Sequence, residues 1–296
     1  MRTSVHRLTA VAVALVVVAC GGIASTPTNS SAPPTAASQV STASSALPAT
    51  TSPALSLTVP SPSAMSPSPS TGLLSWTYVA LGDSWPAGGH CGGCRPFPVL
   101  YRDGLAASTG RRIDFVDFTD AGTTKSLLQD VRTSVTVRDA IRRGDIVMIS
   151  TGGNDLEPAF VAASAGTCGG EDQVDCFRDV AASMRASFDG IVTEIELLRN
   201  GRPTAIQLVT GVNEFLTDPG LIDAVGPAYA KTHGVAITKM LADVQCEVAA
   251  KHTAKCIDLG LALNGPDLLK PVDSSTQATM QAVADVLLAS GLPELP

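Results

Sequence analysis

The chain has 296 residues, 45% of them hydrophobic, and carries 20 Lys and Arg against 27 Asp and Glu, a formal charge of −7. A polyanion is repelled by that balance on average, and no Lys/Arg cluster opposes it, so a nucleic-acid partner is excluded. The apolar run within the first twenty residues is too short for a mature membrane-spanning helix, and no second run is long enough.

Residues 1–20 read as an address. Arg2 and Arg7 make a basic start, residues 8–19 form a largely apolar run, and Val17-Val18-Ala19-Cys20 closes it. The run suits the h-region of a signal peptide. Small residues before Cys20 and Gly21 after it resemble the bacterial lipobox, which implies acylation of Cys20 and a lipid anchor in the cell membrane. The other reading is an ordinary signal peptide and a secreted protein. Residues 21–72 are Ser, Thr, Pro and Ala with no charged side chain. They have too little apolar surface to offset ordering entropy, so a disordered stalk is expected.

Residues 73–296 suffice for one domain, expected as a monomer. With Cys20 set aside, six cysteines fall in three close pairs: Cys91/Cys94, Cys168/Cys176 and Cys246/Cys256. Short loops close most readily and an exported chain meets an oxidising compartment, so these pairs are expected as disulfides. Cys91-Gly-Gly-Cys94 has neither the βαβ context of a redox dithiol nor a second ligand pair for zinc, and no metal or cofactor is expected.

Along the domain, apolar runs alternate with helical periodicity. Residues 78–81 predict a first strand, running into Gly82-Asp83-Ser84. A helix over 97–108, a strand over 113–118 and the buried strand 145–150 follow. The last runs into Thr151-Gly-Gly-Asn-Asp155. Phe177, Val180, Met184, Phe188, Ile191, Ile195 and Leu198 mark one face of a long helix. A strand at 205–209, a helix through Ile237, Leu241, Val244 and Val248, a strand at 255–259 and a helix over 276–288 complete the pattern. Strands separated by helices imply a mostly parallel sheet covered on both faces, a three-layer α/β/α sandwich of flavodoxin-like type.

Sites in such a sheet form outside the carboxyl ends of the strands. Ser84 follows the first strand, Gly122 the second, and Gly152-Gly153-Asn154-Asp155 the third. In that order the motifs resemble the SGNH, or GDSL, hydrolases. The resemblance implies Ser84 as a nucleophile, with Gly122 and Asn154 joining the Ser84 N–H in an oxyanion hole. Such donors contribute about 3–4 kcal/mol each where an acyl intermediate develops charge.

The family's last block, Asp-x-x-His before the final helix, departs here. The spacing is kept by Asp267-x-x-Lys270-Pro271, with Lys in the His position, and an alignment anchored on the final helix places Ser274 or Ser275 there. Removing such a His costs about 10⁶ in kcat in a serine hydrolase. Lys270 would need burial to serve as base. His252 ends a helix and belongs at the far edge of the sheet, whereas His233 begins that helix and His90 follows Ser84, so both are candidates to face the crevice. Two functions stay open. One is a cell-surface ester hydrolase with a substitute base. The other is a degenerate relative binding a lipid, acyl or glycan ligand.

Overall fold

The computed structural model describes residues 74–120 and 122–291. The leader, Cys20 and the stalk lie outside the described residues.

Five strands form one all-parallel sheet in the order β2-β1-β3-β4-β5. They are β1 (Ser75–Gly82), β2 (Arg112–Phe118), β3 (Ile146–Ser150), β4 (Ala205–Val209) and β5 (Lys255–Ile257). β1 pairs with β2 on one side, Tyr78 opposite Phe115, and with β3 on the other, Tyr78 opposite Ile146. The chain therefore leaves β1 toward one side and returns beside it on the other, and a crevice opens above β1 and β3.

Alternate side chains along the strands enter two cores. Trp76, Tyr78, Ala80, Ile146 and Met148 meet α1 (Phe97–Thr109) and α8 (Gln277–Ala289). Val79, Leu81, Val147, Ile149 and Leu208 meet α2 (Thr124–Thr133), α3 (Val135–Arg143), α5 (Asp175–Arg199) and α7 (Pro227–Lys251). Strands buried on both faces read as continuous apolar runs, which is why β3 was legible. α5 buries Phe177, Met184, Phe188, Ile191 and Ile195 of the expected stripe, with Val180 and Leu198 packed at its margin.

The alternating pattern named no element in 123–144, where α2 and α3 stand. Both are short and polar overall; α2 starts on a capping box of Thr123 with Ser126, and α3 on Ser134. Two further helices, α4 (Glu157–Ser164) and α6 (Pro219–Val225), join the first turns of α5 and α7 in a third apolar cluster around Phe177, Phe215 and Ile237. β5 ends at Ile257 rather than at 259, because the chain turns into the helical segment Gly260–Asn264.

The three disulfides join the expected partners. Cα–Cα separations are 5.4 Å for Cys91–Cys94, 4.8 Å for Cys168–Cys176 and 4.9 Å for Cys246–Cys256.

Candidate active site

The loops after β1, β2 and β3 are tied together by two carboxylates and one amide. Asp83, only 5% exposed, accepts from the Trp85 N–H at 3.1 Å through one oxygen. Its other oxygen accepts from the N–H groups of Gly152 and Gly153 at 3.1 and 3.2 Å. Burial pushes this carboxyl up from its ordinary pKa, while the three backbone donors hold it back. Asp155 accepts from the N–H and hydroxyl of Thr124 at 2.8 and 2.7 Å, fixing the third loop to the start of α2. Asn154 donates through Nδ2 to the Gly122 carbonyl at 2.6 Å.

Ser84 caps no helix. It is exposed on a turn, and α1 begins only at Phe97. The Ser84 carbonyl accepts from the Gly89 N–H at 2.7 Å, so the chain folds back at once. A Cβ at Gly89 would sit 2.7 Å from that oxygen and 2.9 Å from the Ser84 Cβ, a closeness only glycine permits. The turn brings His90 back to the same cleft as Ser84. Gly152 is held at φ +126° with Met184 beside it, and a Cβ there would meet the methionine methyl at 2.5 Å.

The cleft has a volume of about 510 Å³. Ser84, His90, Asn154 and Glu214 line it, and Phe160 and Leu221 contribute apolar wall. His90 Nδ1 lies 3.7 Å from a Glu214 carboxylate oxygen, and the His90 side chain is 42% exposed. Glu214 lifts the imidazole above its ordinary pKa, against the opposing effect of partial burial. His90, Glu214 and Asp218 also bring ligand atoms within 4.8 Å of one another, a nitrogen and two carboxylates that together could hold a divalent cation.

The other expected bases stand elsewhere. Lys270 is exposed, held by backbone hydrogen bonds with buried Asn264, and does not line the cleft. The burial that a basic Lys270 requires is therefore missing. Asp267 spends a carboxylate oxygen on the Leu269 N–H at 3.1 Å and is likewise outside the cleft. Ser274 is buried, and Ser275 donates its hydroxyl to Asp273. His233 packs against Tyr229 with ring centroids 4.4 Å apart and does not line the cleft. His252 ends α7 between Asp189 and Glu196, as its helix position implies. Of the four substitutes considered, His90 alone lines the cleft. Gly122 contributes its carbonyl to Asn154 and is not part of the cleft lining.

Glu214 went unnoticed in the sequence. Its signal was its place, five residues past the end of β4 and hence on the carboxyl edge where sites form.

No protein-family model matches the chain, and no curated protein sequence is significantly similar to it. Solved structures are. A lipase, Lip_vut3, from a goat rumen metagenome superposes with a TM-score of 0.54 at 18% identity, over 75% of this chain and 100% of its own. Phospholipase A1 from Streptomyces albidoflavus NA297 superposes at 0.52 and 17% identity, over 74% and 100%. This chain has their fold. The α/β/α sandwich expected from strands alternating with helices is the one built. The cleft lies at the carboxyl ends of β1 and β3.

Proposed function

We propose that the chain is an ester hydrolase that forms an acyl-enzyme on Ser84, with His90 as general base and Glu214 as the residue that orients it. The observation that carries this reading is that Ser84 and the His90–Glu214 pair line one cleft. Nδ1 of His90 faces the carboxylate, so the proton resides there and Nε2 is left to accept the Ser84 proton. Ser84 Oγ attacks the ester carbonyl carbon as His90 takes its proton. The tetrahedral oxyanion is stabilised by the Ser84 N–H and by the second N–H of the Asn154 amide, whose first is spent on the Gly122 carbonyl. Collapse expels the alcohol, which recovers the proton from His90, and water then repeats the sequence on the acyl-enzyme. The substrate class is an ester or acylated small molecule, and no cofactor takes part.

We also propose that the chain is exported, a reading supported by three disulfides that suit an oxidising compartment. We place the enzyme outside the cytoplasm, anchored by an acylated Cys20.

The test is turnover of 4-nitrophenyl acetate and butyrate. Ser84→Ala abolishes it, and His90→Ala lowers kcat about 10²–10⁴-fold, while His233→Ala and Lys270→Ala leave it within twofold. Unchanged turnover in Ser84→Ala overturns the serine route and leaves the binding-protein reading. Unchanged turnover in His90→Ala removes His90 as base.

A further inference from the structure

The ester-hydrolase reading uses His90 and Glu214 but leaves Asp218 idle, although the three bring a ligand atom each to within 4.8 Å of one another. They come from two braced segments. His90 stands between Gly89, whose N–H donates to the Ser84 carbonyl at 2.7 Å, and the Cys91–Cys94 disulfide. Glu214 and Asp218 lie four residues apart on one turn, with the Asp218 N–H donating to the Glu214 carbonyl at 2.9 Å. Thr217 ties that turn to the chain before α8 through its hydroxyl, which donates to the Val272 carbonyl at 2.7 Å. The three side chains are thus brought together by backbone and covalent links.

Two features separate this trio from a solvated acidic patch. The first is spacing. His90 Nδ1 and the Glu214 oxygen stand 3.7 Å apart. A closed charge-assisted hydrogen bond would hold them at about 2.7–2.9 Å. Two ligands on one tetrahedral zinc, with bonds of about 2.0–2.1 Å, stand about 3.3 Å apart. The observed gap is nearer the second value. The other feature is charge, since among the described residues neither carboxylate forms an ion pair with a Lys or Arg. Asp218 spends Oδ1 on the Leu221 N–H at 3.0 Å, and its Oδ2 meets no protein donor among the described residues. His252 shows the contrast. It also sits between two carboxylates, but Asp189 and Glu196 take opposite ring nitrogens at 2.7 and 3.1 Å, and Lys251 pairs with Asp189. Both nitrogens of His252 are therefore spent.

We propose that His90 Nδ1, Glu214 and Asp218 bind a divalent transition-metal ion of the zinc type, and that this ion switches the enzyme off. An imidazole nitrogen beside two carboxylates suits zinc, whereas magnesium and calcium take oxygen ligands throughout. Neutral imidazole carries one N–H. With the ion on the Nδ1 lone pair, that proton moves to Nε2, which then has no lone pair to accept the Ser84 proton. Glu214, engaged as a ligand, no longer orients the ring. Metal binding and general-base catalysis by His90 exclude each other. The inhibition rests on the ester-hydrolase reading; the binding does not.

The experiment uses the untagged mature protein, stripped with EDTA and dialysed into a buffer that does not chelate. Saturating Zn²⁺ should lower turnover of 4-nitrophenyl acetate about 10²-fold or more, as loss of the base would. EDTA should restore it, and equal Mg²⁺ or Ca²⁺ should leave it unchanged. Asp218→Asn keeps the cap on α6, because Asn caps a helix as well as Asp, so its metal-free turnover should stay within twofold. Losing even an outer-shell partner costs about 10–100-fold in metal affinity, so the Zn²⁺ needed for half-inhibition of this variant should rise about tenfold or more. Activation by Zn²⁺, no effect of Zn²⁺, or equal sensitivity of wild type and Asp218→Asn overturns the proposal. A separate arm does not depend on turnover: calorimetric titration with Zn²⁺. One ion per chain, lost in His90→Ala and retained in His252→Ala, sustains the site even if no ester is hydrolysed. Binding that follows His252 instead, or no binding, rejects it even if esterase activity is strong.

Discussion

At the scale of single residues, the ionisation of His90 should govern the pH dependence. A base must be neutral, and Glu214 stabilises the charged imidazole, so the His90 pKa stands above its ordinary value of 6.5. Activity should therefore rise with pH through a value above 6.5 and be low where His90 is protonated. Glu214→Gln removes the carboxylate, so the rising limb should move to lower pH while the plateau kcat falls by about tenfold or more for want of orientation. Profiles of kcat/KM on 4-nitrophenyl butyrate check both; a limb that does not move means Glu214 is not the partner that matters. The same pairing has a stability side with its own sign. The raised pKa contributes stability that is complete below 6.5 and is lost as pH rises through the folded-state value. With His90 42% exposed the contribution is small, because solvent screens the pair.

At the scale of elements, the site depends on three loops held in register and on one short covalent loop. Cys91–Cys94 follows His90 directly, and Cys91 is buried in the cluster with Phe97 and Trp85 packed nearby. Chain entropy for so short a loop contributes only about 2 kcal/mol, against about 3 kcal/mol for Cys246–Cys256. Their effects on activity should run the other way. Cys91→Ser/Cys94→Ser should free the segment carrying His90 and cut kcat/KM about tenfold or more. Cys246→Ser/Cys256→Ser, which unties α7 from β5, should lose more stability and leave kcat/KM within twofold. Urea unfolding and ester turnover on the two variants separate these outcomes. Equal activity losses would mean that the first disulfide braces the fold generally and not His90.

A second element-scale device is Asp83, which joins the loops after β1 and β3 through three backbone N–H groups. Asp83→Ala strands these donors, and the loss should be on the order of 2–4 kcal/mol in urea unfolding. Activity should fall as well, since Gly152 and Gly153 immediately precede Asn154. A variant of unchanged stability would show that water replaces the carboxylate at little cost.

At the scale of the whole molecule, the question is where the enzyme works. Among the described residues no helix is long and apolar enough to cross a membrane, and the proposed attachment is through an acylated Cys20. One acyl chain gives marginal membrane affinity and stable anchoring takes more, so the doubly acylated glyceride of a lipobox cysteine is the expected form. Cys20→Ser should move the protein from the membrane fraction to the medium, read by immunoblot, with the same specific activity. Retention of that variant in the membrane fraction would sink the anchor.

How much was legible follows from which interactions are local in the chain. β1, β3 and β4 were readable because strands buried on both faces must be apolar throughout, and α5 because its stripe recurs every three or four residues. The pairing of cysteines was readable because each loop is short. Ser84 and Asn154 could be placed because a parallel sheet gathers its strand ends on one edge. α2 and α3 were missed since caps and a stripe of two or three apolar residues, not a long period, define them. The base could not be chosen from sequence: Lys270, His233 and His90 each had a position that topology allowed. Only tertiary packing separates them, leaving Lys270 in solvent, setting His233 on Tyr229, and folding the Gly89 turn so that His90 meets Glu214, 124 residues farther along the chain.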